Sequence, residues 1–268
     1  MAVRRIARIG LVTADPAASE AFYENALGFE RIDVREEAGG TRITTVRLGQ
    51  ETVELVAYAQ PGRPYPPGST SFDLWFQHFA IVVSPMREAY ARLRAAKGWT
   101  AISTNGPQRL PESSGGVTAF KFRDPEGHPL ELLEFPPAKV PPAWQGRHGD
   151  GPCLGIDHSA IAVSDTAASI RFYEALGFAV TGRSLNQGGE QERLDAAPGA
   201  VVDVTALSIP GAPAPHLELL GYRRPIGRPA PPMRDNDVAR TCLILDSSEA
   251  PASLLDPDGH EIVLAGPR

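Results

Sequence analysis

Two sequence patterns each occur twice in this chain, once in each half. Residues 15–29 read DPAASEAFYENALGF and residues 165–178 read DTAASIRFYEALGF. Residues 124–132 read DPEGHPLEL and residues 256–264 read DPDGHEIVL. A chain that repeats itself must satisfy one local fold several times over and bury the repeats against each other. The join falls in the Pro/Gly-rich stretch Pro136–Gly155. The expected domains are therefore residues 1–137 and 156–268, with a linker over 138–155. A length of 268 residues agrees, since one domain takes roughly 100–200 residues.

Each half divides again. A strand over Ile6–Val12 leads into a helix capped by Asp15, with Pro16 at the first helical position, where a missing N–H costs nothing. Gly28 suits the left-handed position that ends it. Strands near Ile43–Leu48 and Thr52–Tyr58 follow. The order recurs with a strand over His78–Val83, a helix from Ser84–Pro85 to about Lys97–Gly98, and strands near Thr118–Phe122 and Pro129–Phe135. Asp124-Pro125-Glu126-Gly127 has the residues of a type I turn. A third repeat runs from Asp157 to Tyr222. The fourth, from about Val238 to Leu264, is too short for its helix. One sheet face there would need cover from elsewhere, which gives the expectation of a homodimer.

Alternation along the strands separates two faces. Phe79, Ile81 and Val83 form a bulky face suited to helices, while His78, Ala80 and Val82 point the other way. His158, Ala160 and Ala162 repeat that pattern, as do Arg8, Gly10 and Val12. Small residues on this face leave room for a ligand. Val53-Glu54-Leu55, Leu130-Glu131-Leu132 and Leu217-Glu218-Leu219 each set one carboxylate among apolar neighbours. A carboxylate in such a place needs a cation, donors or water. Three of them at equivalent places in three repeats read as retained ligands, together with the repeated histidine.

These motifs resemble the vicinal oxygen chelate superfamily, which includes glyoxalase I-type lyases, extradiol dioxygenases, epimerases, thiol transferases and bleomycin-binding proteins. The resemblance implies an α+β fold of tandem βαβββ modules. They would form two U-shaped half-barrels with helices outside, around one divalent metal held by first- and last-strand residues. Carried over by position, it offers Arg8, Glu54, His78 and Glu131 in the first half. The second half offers His158 and Glu218, then Arg240 or Cys242, then Val263. Glu54, His78 and Glu131 are the expected ligands of Zn²⁺, Mn²⁺, Ni²⁺ or Fe²⁺, and Glu54 and Glu131 the expected proton carriers. His158 and Glu218 form a secondary candidate site. Arg8, Tyr58 and, from the turn-rich segment Asn105–Gly116, Arg109, Ser113 and Ser114 are the expected substrate contacts.

Two functions of different class follow. One is a metal-dependent lyase, isomerase or oxygenase acting on a small oxygen-rich substrate. The other is a metal-free binding protein that sequesters a small molecule, with Arg8 as the salt-bridge partner of Glu54 or Glu131. His128 and His260 follow turn glycines and read as packing residues. The rest of the sequence narrows the partners. A net charge of −6 without a basic block argues against nucleic acid. No apolar run reaches the ~18 residues of a membrane span. Two cysteines support no disulfide framework, so a cytoplasmic setting is expected.

Overall fold

The computed structural model describes residues 3–212 and 214–266. The first module comprises β1 (Val3–Val12), α1 (Pro16–Phe22), β2 (Glu30–Glu37), β3 (Thr41–Leu48) and β4 (Glu51–Ala57). The second comprises β5 (Gln77–Val83), α2 (Met86–Ala95), the short β6 (Thr100–Ala101) and β7 (Gln108–Arg109), β8 (Thr118–Arg123) and β9 (Pro129–Glu134). The third comprises β10 (Cys153–Ala162), α3 (Thr166–Ala175), β11 (Ala179–Gln187), α4 (Gly189–Asp195), β12 (Val201–Ser208) and β13 (His216–Arg224). The fourth has only β14 (Thr241–Ser247), β15 (Ala252–Leu255) and β16 (Glu261–Ala265), so its helix is indeed missing.

The helices start as their sequences dictate. Asp15 Oδ1 accepts from Ala18 N, and Asp165 Oδ1 accepts from Ala167 N and Ala168 N. These caps satisfy amide groups that the helix itself cannot. After α1 the chain makes a π-helical turn over Tyr23–Leu27 and leaves it at Gly28, whose φ of 81° favours glycine.

The sheets do not follow the halves of the chain. One has the order β15-β16-β14-β1-β4-β3-β2, and the other runs β11-β12-β13-β10-β5-β9-β8-β6, with β7 also on β8. The first module thus shares a sheet with the fourth, and the second with the third. This corrects the expectation that residues 1–137 and 156–268 each build their own barrel. The first strand of every module has one open edge, which must be paired or covered. β1 closes its edge on β14, and β5 closes its edge on β10, both antiparallel. Backbone edges are chemically alike in all four repeats, so nothing in the side-chain pattern specifies which edges meet.

The bulky faces of both sheets enter one core with α1, α2 and α3. It contains Ile9, Leu11, Phe79, Ile81, Ile161, Tyr173, Leu243 and Leu245. Tyr23 from the first module stacks on Phe79 from the second, with ring centroids 6.4 Å apart. Ile262 and Leu264 of the short fourth module lie in the same core. The apolar side chains of its last strand are thus covered from within the chain.

Candidate metal centre

The seam between β5 and β10 sets two copies of one arrangement against each other. His78 lies opposite Ala160, and His158 lies opposite Ala80. Ala80 in turn pairs with Glu131 on β9, and Ala160 with Glu218 on β13. Each histidine comes from a first strand and each glutamate from a last strand. The two alanines between them are fully buried and too small to fill the space above the seam.

That space is a cavity of about 340 Å³. Leu133, Phe135, Leu194 and Leu220 line its apolar walls, and His78, Glu131, His158 and Glu218 line its polar part. Ligand atoms of His78, Glu131 and His158 all lie within 4.8 Å of one another, a grouping able to hold a metal ion. His158 Nε2 is 3.6 Å from Glu218 Oε2. His78 Nε2 is 2.9 Å from Glu131 Oε2. A buried carboxylate beside buried imidazoles needs a charge partner, and a cation among these side chains would supply one.

The surroundings tune these groups. Burial lowers the pKa of His78, against the opposing pull of Glu131. Burial would raise the Glu131 carboxyl, but the His78 hydrogen-bonding position and the Lys121 charge outweigh it and lower its pKa. Burial likewise opposes the net shift of His158, which Glu218 and Asp157 raise to about 9. Glu218 is held down at about 2 despite its burial, chiefly by His158 and then His216. Two nitrogens and two carboxylates form a donor set that suits Zn²⁺, Mn²⁺, Fe²⁺ or Ni²⁺.

A second layer fixes the first. His158 Nδ1 bonds Asp157 Oδ2 at 3.0 Å, and Asp157 Oδ1 accepts from Trp144 Nε1 at 2.6 Å. With Nδ1 engaged, Nε2 is the nitrogen left to face the cavity. Trp144 belongs to the segment between β9 and β10. The Arg147 guanidinium lies 4.3 Å from its ring centroid, and Arg147 also pairs with Glu51 at 2.9 Å. The linker is therefore a packed wall of the cavity. His216 stands beside Asp157 and His158 in a second group of potential ligand atoms.

Glu54, expected as a ligand beside His78 and Glu131, is on the other sheet. Arg8 Nε lies 2.8 Å from Glu54 Oε1, and Arg35 approaches the same oxygen at 3.1 Å. Register places Cys242 opposite Gly10, and Val263 opposite Ile244. This sheet thus offers Arg8, Glu54, Cys242 and Val263 where the other offers His78, Glu131, His158 and Glu218, and Cys242 rather than Arg240 holds the equivalent place. A guanidinium already neutralises the one carboxylate. Tyr58 is on this sheet's side as well, its phenol pKa raised by burial and by Asp235 and Glu261. Of the turn-rich segment, Ser114 lines the cavity, whereas Arg109 and Ser113 are exposed and do not. The secondary pair, His158 and Glu218, instead joins His78 and Glu131.

Lys121, Gln191, Asp195 and Tyr222 were not among the expected residues. Lys121 Nζ bonds Asp195 Oδ1 at 2.7 Å inside the cavity wall. Its pKa is raised, because Asp195 and Glu131 outweigh the lowering effect of burial. The Gly188-Gly189 pair before EQERLD, with Gln191, Leu194 and Asp195 spaced along one side, was the available signal for α4.

A family model described as the glyoxalase/bleomycin resistance protein/dioxygenase superfamily matches residues 5–132 and 155–248. The chain belongs to this superfamily. The match runs through both halves of the chain, as the repeats require. The whole architecture resembles that of glyoxalase I from Zea mays, with a TM-score of 0.66 over 98% of this chain and 92% of that one, at 17% identity. A Bacillus subtilis protein described as a putative dioxygenase matches with a TM-score of 0.54 over 91% of this chain and 71% of that one, at 16% identity. At such identities the likeness concerns the fold. In sequence, half of this superfamily member is 31% identical to an uncharacterized protein, YwkD, of Bacillus subtilis, of which the match covers 99%. Among the described residues no helix is long and apolar enough to cross a membrane.

Proposed function

We propose that this superfamily member is a divalent-metal-dependent enzyme, a lyase, isomerase or oxygenase, acting on a small substrate with neighbouring oxygen atoms. His78, Glu131, His158 and Glu218 would hold the metal. The observation that carries the reading is the paired His–Ala–Glu arrangement across the β5–β10 seam, which brings ligand atoms of His78, Glu131 and His158 within 4.8 Å of one another. The metal, when bound, supplies a Lewis acid for the substrate oxygens.

The chain's own groups do the rest. Glu131 and Glu218 face the same space, so either carboxylate can accept or return a proton at a carbon held between them. Asp157 keeps His158 in one tautomer and orientation. Leu133, Phe135, Leu194 and Leu220 exclude water from one side of the cavity, which strengthens every charge interaction within it.

Metal analysis of the purified, metal-loaded protein tests this. About one equivalent is expected in the wild type, since the four candidate side chains surround a single space. His158→Ala and Glu218→Gln should each reduce it sharply, while a far-ultraviolet spectrum shows the fold intact. No retained metal after loading would overturn the reading and favour a metal-free binding protein.

A further inference from the structure

Among the described residues, Lys121 is the one lysine or arginine that lines the cavity. The chain holds 26 lysines and arginines, of which only Lys97, Lys121 and Lys139 are lysines, and the other two are exposed. Register sets Lys121 on β8 opposite Glu131 on β9, so the two side chains rise from the same face of the sheet. The matching positions of the first and third modules carry no cation. Thr45 lies opposite Glu54 there, and Ala206 opposite Glu218. The fold therefore does not demand a lysine at this place.

The protein uses only part of this ammonium. Three protons in a buried setting need acceptors, and Asp195 Oδ1 at 2.7 Å takes one, with the Phe76 ring centroid 5.9 Å away. Asp195 is not free to swing toward a second proton, because its Oδ2 accepts from Gln191 Nε2 at 2.6 Å and from the Tyr222 hydroxyl at 2.8 Å. Its helix is also tied to the second module, where Leu194 O accepts from Ser103 Oγ at 2.9 Å and Arg193 O from Thr104 N at 2.8 Å. The Asp195 side chain is 0% exposed and that of Lys121 5%, so the surface this pair leaves open belongs to the lysine. His78 and Glu131 in the same cavity are open to a similar degree, at 2% and 8%. Burial would lower the Lys121 pKa, but Asp195, Glu131 and Glu218 outweigh it and keep the group charged. Glu131 and Glu218 stand on opposite sides of the β5–β10 seam, and the ammonium faces both.

We propose that Lys121 is a carboxylate-binding residue of the cavity, selecting small acids that reach the metal through two neighbouring oxygens and carry a separate carboxylate. The proposal rests on the metal reading above. An ammonium donates and cannot accept, and a charge-assisted bond favours an ionised oxygen. Glu131 and Glu218 would neutralise a divalent metal, which leaves Lys121 to meet the additional negative charge. With Lys121 on one arm of the cavity and Ala206 at the matching place on the other, the substrate carboxylate lies toward β8.

Acetohydroxamic acid, which chelates divalent metals through two neighbouring oxygens, is the parent probe. It is titrated calorimetrically into the Zn²⁺-loaded protein beside the monohydroxamic acids of malonic and succinic acid and their primary amides. At least one acid should bind about tenfold more tightly than its amide, the scale of one hydrogen bond to a charged group. Lys121→Met should abolish that preference. Because it strands the Asp195 charge, Lys121→Met combined with Asp195→Asn is measured alongside, removing both charges together. A third readout needs no variant. In wild-type protein labelled with ¹⁵N-lysine, the ammonium signal of the buried lysine should shift with the preferred acid and stay in place with its amide. Equal binding of acids and amides, a preference that survives the loss of Lys121, or an unmoved ammonium signal overturns the subsite and leaves the metal reading standing. Failure of every hydroxamate, the parent included, to bind overturns the metal reading and the subsite with it.

Discussion

The hydroxyl of Tyr23 donates to Asp124 Oδ2 across 3.2 Å, joining the helix end of the first module to the turn of the second. Tyr173 does the same to Asp256 Oδ2 at 3.1 Å, joining the third module to the fourth. These are the Tyr of each FYE motif and the Asp of each DPxGH motif. The two repeated patterns are thus the two halves of one contact, made twice. It ties the two sheets together, since the modules it connects lie in different sheets.

Tyr23→Phe and Tyr173→Phe should each lower stability by about 1.5–3 kcal/mol, the range for a lost hydrogen bond to a charged group. For a chain of this size that is a fall of several degrees in Tm, on the scale of ~2–4 °C per kcal/mol. The two sites share no partners, so the double variant should show an additive loss in urea unfolding. Metal content should not change in either single variant.

His128 gives a pH dependence. Its Nδ1 lies 2.9 Å from Asp124 Oδ2 and its Nε2 3.0 Å from the Val238 carbonyl. Two acceptors need two N–H groups, so the folded protein favours the imidazolium. Burial would lower its pKa, but Asp124 outweighs this and raises it. A raised folded pKa contributes stability that is complete below the unfolded value of about 6.5 and lost as pH climbs through the folded value. His128→Gln should therefore cost most near pH 6, on the order of 3–5 kcal/mol for a broken buried pair. Denaturant unfolding of both proteins should show the gap narrowing as pH is raised.

Glu54 and Glu218 should behave oppositely, although their strands carry the same local pattern. Glu54→Gln breaks the ion pairs to Arg8 and Arg35 and should destabilise the fold by about 3 kcal/mol, the low end for a buried pair. It should leave metal stoichiometry untouched. Glu218→Gln should release metal with a smaller effect on apoprotein unfolding. Atomic absorption and urea titration of the two variants together make the comparison.

Trp144→Phe keeps the ring but removes the donor to Asp157. The carboxylate then orients His158 less firmly, and metal affinity should fall about tenfold, the lower range for a lost outer partner of a ligand. Competition against a chelator measures it. Because Trp144 lines the cavity, quenching of wild-type tryptophan fluorescence by Co²⁺ should report the same binding event.

The repeat, the helix cap at Asp15, the missing fourth helix, and the face of each first strand that carries His78 or His158 were all legible in the amino-acid order. All of these are local, since capping, turn chemistry and alternation act over a few residues. That order also marked Glu54, His78 and Glu131 as candidate ligands and His158 and Glu218 as a secondary pair, because a polar group among small or apolar neighbours stands out wherever the chain later goes. Tertiary packing is what brings His78, Glu131, His158 and Glu218 to one cavity and keeps Glu54 with Arg8 on the other sheet. That choice rests on β5 closing its open edge against β10, and β1 against β14. Backbone hydrogen bonds make those closures with groups that every residue possesses, so no side-chain pattern records them. The same holds for Gln191 and Trp144, which reach the cavity from α4 and the linker. Their roles exist only once two modules distant in the chain are packed face to face.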